Sequence, residues 1–471
     1  MKEQTRENVM LTPDHIAALD GRLLRRDEIS LDDDLLQHLL SENLMKAIPA
    51  LKKDFLSVKC MRCGNTDARF FAHLSCARCR KNHLYCRNCI EMGRMMECEL
   101  LYYWEGPPYV WPRHENPCSW EGELTSAQEK AAQRIVEAIE NREKEILIWA
   151  VCGAGKTEML FPAMTKALEE GMRVCLATPR ADVVRELKPR LEDAFQDVPI
   201  QALYGGSDEK EYHAQLVIAT THQLLRYRKA FDVMIIDEVD AFPFHADPSL
   251  PFAQNRAEKP QCTTIFLTAT PRKNLKRRVH NGRLPHVFVP VRYHGHPLPV
   301  PTLHMCTSLA KDLQALKLPS IFIHWLKKRK RQERQLLIFV PTIKLAERLK
   351  TPLRKILKDN DVIKNSEALD AVHASDPGRE AKVTAFREKK LQVLITTTIL
   401  ERGVTFPSVD VVVLDAGHDV FDEAALVQIA GRAGRNANDP TGEVVFFHDG
   451  KTEAMLEAIY SIKQMNKRGG F

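Results

Sequence analysis

From Leu124 onward, short apolar and β-branched runs alternate with amphipathic stretches of helical period: EILIWAV, MRVCLAT, AQLVIAT, FDVMIIDE and CTTIFLTAT come in turn. Apolar strands separated by helices predict a parallel sheet covered on both faces, since a strand buried on both sides has no polar face to show. A second series follows residue 300, with RQLLIFVPT, LQVLITTT, VDVVVLDAG and GEVVFFHDG separated by helical stretches such as SEALDAVHASDPGREAKVTAFREKK. Two α/β domains in tandem account for both series. The Pro-, Gly- and His-rich stretch NLKRRVHNGRLPHVFVPVRYHGHPLPVP holds the joint between them, near residue 290. Upstream, the acidic and leucine-rich pattern of SLDDDLLQHLL predicts a helix capped by Ser30, with acids in its first turn. Residues 58 to 120 are rich in cysteine and aromatic side chains and end in GPPYVWPRHENPCSW, where proline forbids a continuous helix. The expected organisation is a helical segment over residues 1–57, a cysteine-rich module over 58–121, and α/β domains over 122–290 and 291–471.

A length of 471 residues fits two or three domains of ~150 residues. With 44% hydrophobic and 28% charged residues, disordered and fibrous classes are excluded, because such chains lack the apolar content that offsets ordering entropy. No stretch reaches the roughly 18 apolar residues that span a bilayer, and MKEQTRENVMLTPDH has no apolar core behind its charges, so the chain reads as soluble and unexported. The net charge of +6 names no partner by itself. The basic run KKRKRQER, Lys327 to Arg334, reads as the solvated end of a helix or as a contact to nucleic-acid phosphates. The twelve cysteines change the picture more. In a reducing compartment thiols serve as metal ligands, catalytic groups or small core residues. Eight of the twelve precede residue 120, and six of these form three C-x-x-C pairs: Cys60 with Cys63, Cys76 with Cys79, and Cys86 with Cys89.

The strand EILIWAV runs into A-V-C-G-A-G-K-T, Ala150 to Thr157, and a helical pattern follows at once. That is the order a phosphate cradle requires: Gly153, Ala154 and Gly155 bring backbone N–H groups to the phosphates, Lys156 adds a point charge, and the Thr157 hydroxyl is a ligand for Mg²⁺. Ala150 stands where the strict pattern has glycine. FDVMIIDEVD ends an apolar strand in Asp237, suited to the Mg²⁺, and Glu238, suited to orienting the attacking water. Gln128, a short distance upstream, offers its amide to an adenine edge and favours ATP. Near the end of the second series, Q-I-A-G-R-A-G-R spans Gln428 to Arg435. Arg432 and Arg435, three apart, are expected on one helix face, where they meet transition-state charge on a γ-phosphate as an arginine finger supplied from the second domain.

These segments, with T-P-R at Thr178, T-T-H-Q-L-L at Thr220, T-A-T at Thr268 and T-T-T-I-L-E-R-G-V-T-F-P at Thr396, resemble in order and spacing those of superfamily 2 helicases, over about residues 122 to 450. The resemblance implies two RecA-like domains. It implies also that Thr178 to Arg180, Thr220 to His222 and Thr268 to Thr270 line a nucleic-acid groove or couple it to ATP, and that Thr397 and Gly403 contact the strand's phosphates. With Y-C-R-N-C-I-E-M-G-R at Tyr85 and D-E-V-D-A-F-P at Asp237, the chain resembles more narrowly the late-competence ATPases of the ComFA family, over nearly its whole length. That implies an ATP-driven translocase on single-stranded DNA that serves uptake of transforming DNA. It would work in the cytoplasm at the inner face of the membrane, beside the uptake channel and other competence proteins. A primosomal-type replication-restart helicase is the nearest alternative, and a zinc-dependent assembly adaptor with a nucleotide switch is one from another class.

Two C-x-x-C pairs complete a tetrahedral Zn²⁺ shell, so three pairs leave the ligand set open. The family resemblance favours Cys60, Cys63, Cys86 and Cys89 and leaves Cys76 and Cys79 as a further pair, to be helped by His73, His83 or Cys98. Spacing equally allows Cys60, Cys63, Cys76 and Cys79. Iron–sulfur clusters take four thiolates too, while redox C-x-x-C pairs lack here the βαβ setting they use. A full thiolate shell leaves no open position for water, so the metal is structural. Around it, Phe70, Phe71, Tyr85, Tyr102, Tyr103, Trp104, Tyr109, Trp111 and Trp120 either stack on bases or pack the module. Arg62, Arg69, Arg78, Arg80, Lys81, Arg87 and Arg94 either bind phosphates or solvate it. Cys98 and Cys118 border the module. Cys152, inside the phosphate loop, and Cys175, Cys262 and Cys306 read as packing residues.

Overall fold

A computed structural model of the chain describes residues 11–55, 57–207, 213–363 and 365–471; the polar opening residues 1–10 lie outside these. The chain forms two compact units. One comprises Met1–Glu123, Ala132–Leu147 and Met159–Leu267, and the other Leu124–Ala131, Ile148–Glu158 and Thr268–Phe471.

Helices Pro13–Leu19 and Asp33–Ser41 open the first unit. The second helix is capped by Asp32, whose side chain accepts from Leu35 N–H at 2.7 Å, and not by Ser30; the nearer acid reaches the free N–H of the first turn, and Ser30 falls outside it. Leu35, Leu36 and Leu39 pack beneath with Met45 and Trp104. The helical pattern does not continue to residue 55. β1 (Met45–Pro49) and β2 (Leu51–Lys53) are strands, because each finds a partner remote in sequence: β1 pairs antiparallel with β7 (Leu100–Trp104), and β2 with β3 (Val58–Cys60). Between them β4 (Phe71–Ser75), β5 (Asn82–Cys86) and β6 (Met95–Met96) form an antiparallel sheet. Residues 105–125 carry no regular element, as their prolines require.

The α/β part has β8 (Glu145–Ala150), β9 (Val174–Thr178), β10 (Ile200–Leu203), β11 (Leu216–Thr220), β12 (Phe231–Ile236), β13 (Glu258–Thr268) and β14 (His286–Val289), in the order β10-β11-β9-β12-β13-β8-β14. A second sheet contains β15 (Thr302–Met305), β16 (Gln335–Phe339), β17 (Leu369–Val372), β18 (Val393–Thr396), β19 (Val409–Leu414) and β20 (Val444–His448), in the order β15-β20-β19-β16-β18-β17, every pair parallel. β9, β11, β16, β18 and β19 are buried along their whole length, which explains why they read as unbroken apolar runs. β17 lies inside a stretch read as helical: LDAV joins the sheet edge beside β18, and helix Arg379–Arg387 begins only after Pro377.

The basic run divides. Lys327 and Lys328 end helix Ser320–Lys328 and are exposed, but Arg329 and Arg334 are buried on Asp410, at 3.1 and 3.4 Å. Arg334 also bonds Asp439 and Thr441. Two of its cations therefore anchor β19 and neither meets solvent.

Candidate functional site

The motifs other than Gln428 to Arg435 stand at the carboxyl end of a strand, the edge where open α/β sheets bind ligands. In the first unit, Thr178 closes β9 and Thr220 closes β11, and the two are paired in register. Asp237 follows β12, its N–H donating to Ala177 O at 2.8 Å, while its Oδ1 accepts from Glu238 N–H at 2.9 Å. The turn holds Glu238 at φ 53°, a left-handed conformation that non-glycine residues seldom adopt. Arg180 is paired with Asp182 at 2.8 Å. Thr268, counted with the second unit, closes β13 with its Oγ1 accepting from Thr270 N–H at 2.9 Å.

In the second unit, Ala150 ends β8 and the loop Val151–Thr157 follows, with Gly153 at φ 81° and Gly155 at φ 68°. The positive φ of Gly155 favours glycine, and a Cβ there would lie 2.4 Å from Gln128 Nε2 and displace that amide. Gln128 is buried. Its Nε2 donates to Ala154 O at 2.9 Å and Gly155 O at 3.2 Å, and its Oε1 accepts from Thr125 N–H at 2.8 Å. The amide thus braces the phosphate loop directly. The helix after the loop starts later than its pattern suggested: Glu158–Leu160 form a 3₁₀ turn and the α-helix spans Phe161–Glu169, because Pro162 cannot donate and disfavours helical geometry in the residue before it.

Arg432 and Arg435 do not share a helix face. The helix Glu423–Ala430 ends before both, where Gly431 and Gly434 weaken it. Arg432 is buried and donates to the carbonyls of Glu401 and Val404, whereas Arg435 is half-exposed, with Nη1 3.4 Å from Thr405 Oγ1. Gln428 is buried, and the Cys152 thiol donates to its Oε1 at 3.1 Å. Thr397 leads into the 3₁₀ turn Thr398–Leu400, and Gly403 has φ 72°. Sequence reasoning missed Arg292. It is buried and donates to the carbonyls of Ala433, Gly434 and Gly431, while the next N–H, of Tyr293, donates to Gly153 O at 3.0 Å. Burial pushes its guanidinium down to about 10, still charged at neutral pH. No local signal marks it, since every partner is remote in sequence.

Among the cysteines, Cys60, Cys63, Cys86 and Cys89 come together with all four Sγ atoms within 4.8 Å of one another and buried. Cys60 and Cys89 are 3.6 Å apart, as are Cys63 and Cys86. Zn–S bonds of about 2.3 Å place tetrahedral thiolates about 3.8 Å apart, so the donor set fits one Zn²⁺. The hairpin β4–β5 decides between the two pairings left open by spacing, because its length carries Cys76 and Cys79 to the tip and keeps Cys86 at the base. The first loop is docked on helix Ser249–Ala257. Gly64, at φ 74°, leaves no room for a Cβ beside the Phe252 ring, and Arg256 donates to the carbonyls of Met61, Arg62, Leu225 and Tyr227. Most of the aromatics pack. Trp104 is buried, Trp111 lies 4.6 Å from the Arg173 guanidinium, and Tyr103 is covered by Arg228 at 3.9 Å; Phe70 alone of the nine is exposed. Of the cations, Arg62 is buried, while Arg69, Arg78, Arg80, Lys81, Arg87 and Arg94 face solvent. Cys175, Cys262 and Cys306 are buried packing residues.

Residues 9–103 match the family described as the competence protein ComFA N-terminal domain, residues 121–273 the type III restriction enzyme res subunit, and residues 317–437 the helicase conserved C-terminal domain. The competence protein ComFA of Bacillus subtilis is 46% identical over 450 residues, covering 95% of this chain and 94% of its own. That of Streptococcus pneumoniae is 37% identical over 450 residues, covering 96% and 98%. Among solved structures, S. cerevisiae Dbp5 bound to RNA and ADP BeF3 aligns with TM-score 0.52 at 18% identity over 73% of this chain and 88% of that one. Mycobacterium smegmatis helicase Lhr bound to ssDNA and AMP-PNP aligns with TM-score 0.52 at 18% identity over 74% and 50%. At these identities the structural likeness speaks for the fold: two RecA-like domains.

Proposed function

The chain belongs to the ComFA family of competence proteins and is an ATP-dependent superfamily 2 helicase, and on that premise we propose that it translocates along single-stranded DNA to drive uptake of transforming DNA. The observation that carries the reading is the placement of the threonine segments. Thr178 and Thr220 are buried side by side at the carboxyl edge that also bears Asp237, so the segments that run from them to the partly exposed Arg180 and His222 leave the sheet beside a carboxylate suited to Mg²⁺ and offer contacts to phosphates. Contacts of this kind position a strand without reading its sequence, as a motor on arbitrary DNA requires.

In this reading Lys156 and the N–H groups of Gly153 to Gly155 hold the phosphates, Thr157 and Asp237 ligate Mg²⁺, and Glu238 orients water. Gln128 keeps the phosphate loop in shape. Gln428 and Arg435 face the γ-phosphate, and Arg432 positions the segment between them. Zn²⁺ on Cys60, Cys63, Cys86 and Cys89 stabilises the N-terminal module and leaves no position for catalysis. By family resemblance the partners are other competence proteins and the uptake channel at the inner face of the membrane. No helix among the described residues is long and apolar enough to cross a membrane. Displacement of streptavidin from the end of a biotinylated single strand tests the proposal: ATP-dependent displacement by the full chain supports it, and none under conditions of brisk ATP hydrolysis contradicts it.

A further inference from the structure

The hairpin of β4 and β5 ends in a cysteine loop that Cys60, Cys63, Cys86 and Cys89 leave unused, and its backbone repeats the first loop bond for bond. In the first, Cys60 N–H donates to Asn65 O at 2.9 Å and Gly64 N–H to Cys60 O at 2.8 Å, with Gly64 at φ 74°. In the second, Cys76 N–H donates to Lys81 O at 2.9 Å and Arg80 N–H to Cys76 O at 2.8 Å, with Arg80 at φ 57°. An arginine pays a steric cost there that glycine does not, so the loop geometry is kept despite the residue.

Two further donors come from outside the loop. Glu97 N–H donates to Leu84 O at 2.9 Å, which sets Cys98 beside the hairpin tip with its Sγ 3.7 Å from that of Cys76. The Sγ atoms of Cys76, Cys79 and Cys98 all lie within 4.8 Å of one another. His83 Nε2 stands 3.0 Å from Cys79 Sγ, and its Nδ1 is 3.8 Å from Glu97 Oε2. Glu97 is held in turn by Lys53 Nζ at 2.6 Å. At 3.8 Å the Glu97 carboxylate lies behind the imidazole without bonding it, on the side from which a carboxylate orients a metal-binding histidine once the two close up. Thiolates around Zn²⁺ stand about 3.8 Å apart, and a thiolate and imidazole nitrogen about 3.6 Å. The thiol pair already has its spacing, while His83, in contact with Cys79 but outside the group of three thiols within 4.8 Å of one another, has to swing toward Cys76 and Cys98 to complete the shell.

We propose that Cys76, Cys79, Cys98 and His83 bind a second divalent ion of the zinc class, distinct from the ion held by Cys60, Cys63, Cys86 and Cys89. Binding releases the thiol protons to water and needs no oxidant. The ion closes a tip whose exposed residues include Arg78, Arg80 and Lys81, so it fixes the spacing of three cations on the module's outer end.

The test is the metal content of the purified full chain by mass spectrometry, with cobalt substitution as a readout that needs no variant. Two equivalents are expected in the wild type, and one in Cys98→Ser and in His83→Gln, each with ATP hydrolysis retained. Saturating Co²⁺ should give thiolate charge-transfer absorbance in proportion to seven Co–S bonds, four at one site and three at the other. One equivalent in the wild type with four-thiolate absorbance overturns the proposal. So does a Cys76–Cys98 disulfide in freshly purified protein, or metal content in Cys98→Ser equal to that of the wild type. The site shares no residue with the ATP site, so its failure leaves the motor reading intact.

Discussion

Arg62 lies between Cys60 and Cys63 with its guanidinium fully buried, and its Nη2 stands 3.0 Å from Oε1 of Glu28. The same Glu28 oxygen accepts from Arg226 Nε at 3.1 Å, in the 3₁₀ turn that begins with Thr221 and His222. One carboxylate therefore ties the cysteine loop to the segment that resembles a nucleic-acid contact. Burial alone would raise the Glu28 pKa, but Arg62, the Arg25 N–H and Arg226 outweigh it and hold the carboxyl below the usual range. Glu28→Gln leaves a buried cation without its charge partner, a change that costs about 3–5 kcal/mol. Chemical denaturation should show this loss, together with faster release of Zn²⁺ to a chelator. An unchanged denaturation midpoint would mean that the buried pair carries no net stability.

His213 supplies a pH dependence. Burial, with Arg22 and Arg173 close by, pushes its imidazole down to about 4. The unfolded chain, with a histidine pKa of about 6.5, takes up a proton that the folded chain refuses, so stability is full above pH 6.5 and falls as pH drops toward 4. Screening at a partly exposed site brings the loss to on the order of 2 kcal/mol. His213→Gln should flatten the denaturation midpoint between pH 7 and pH 4.5, and a midpoint that still falls as steeply contradicts the assignment.

The arginines of the second unit should separate by assay. Arg435→Ala is expected to lower hydrolysis by ~1000-fold with thermal stability retained, as for loss of an arginine finger. Arg432→Ala should cost about 2–4 kcal/mol of stability, since it deletes buried charged hydrogen bonds to Glu401 and Val404. Arg292→Met, which loosens the carbonyls of Gly431 to Gly434, should lower kcat by about 10- to 100-fold with a much smaller effect on the KM for ATP. Equal effects of Arg432→Ala and Arg435→Ala on both stability and rate would undo the division of roles.

Lys156→Ala should abolish hydrolysis, by at least ~100-fold, and leave binding to a fluorescent single strand within a few-fold of wild type, because the strand contacts are assigned to other segments. Activity at the wild-type rate would show that the phosphate loop is misassigned.

The alternation of strand and helix, the glycine loop and the acid-tipped β12 were legible because each is a local pattern imposed by backbone geometry. What escaped depends on partners distant in sequence. β1 and β17 became strands because neighbours were present to pair with them. The four buried cysteines were separated from the other C-x-x-C pair by the reach of one hairpin, which spacing alone does not encode. Gln128, read as a base contact, turned out to brace the loop carbonyls, and Arg329 and Arg334 left the basic run for a buried aspartate. The arginine pair was misplaced for a local reason: a spacing of three shares a face only while the helix lasts, and this one ends at Ala430.

The central claim is an ATPase driven by single-stranded DNA. Its most direct test is the steady-state ATPase rate of the full chain with single-stranded DNA, duplex DNA and RNA at equal phosphate concentration and fixed salt, since phosphate-driven binding varies with salt. Stimulation by single-stranded DNA well above that by duplex or RNA is expected. Equal stimulation by RNA, or none by any of the three, would contradict it.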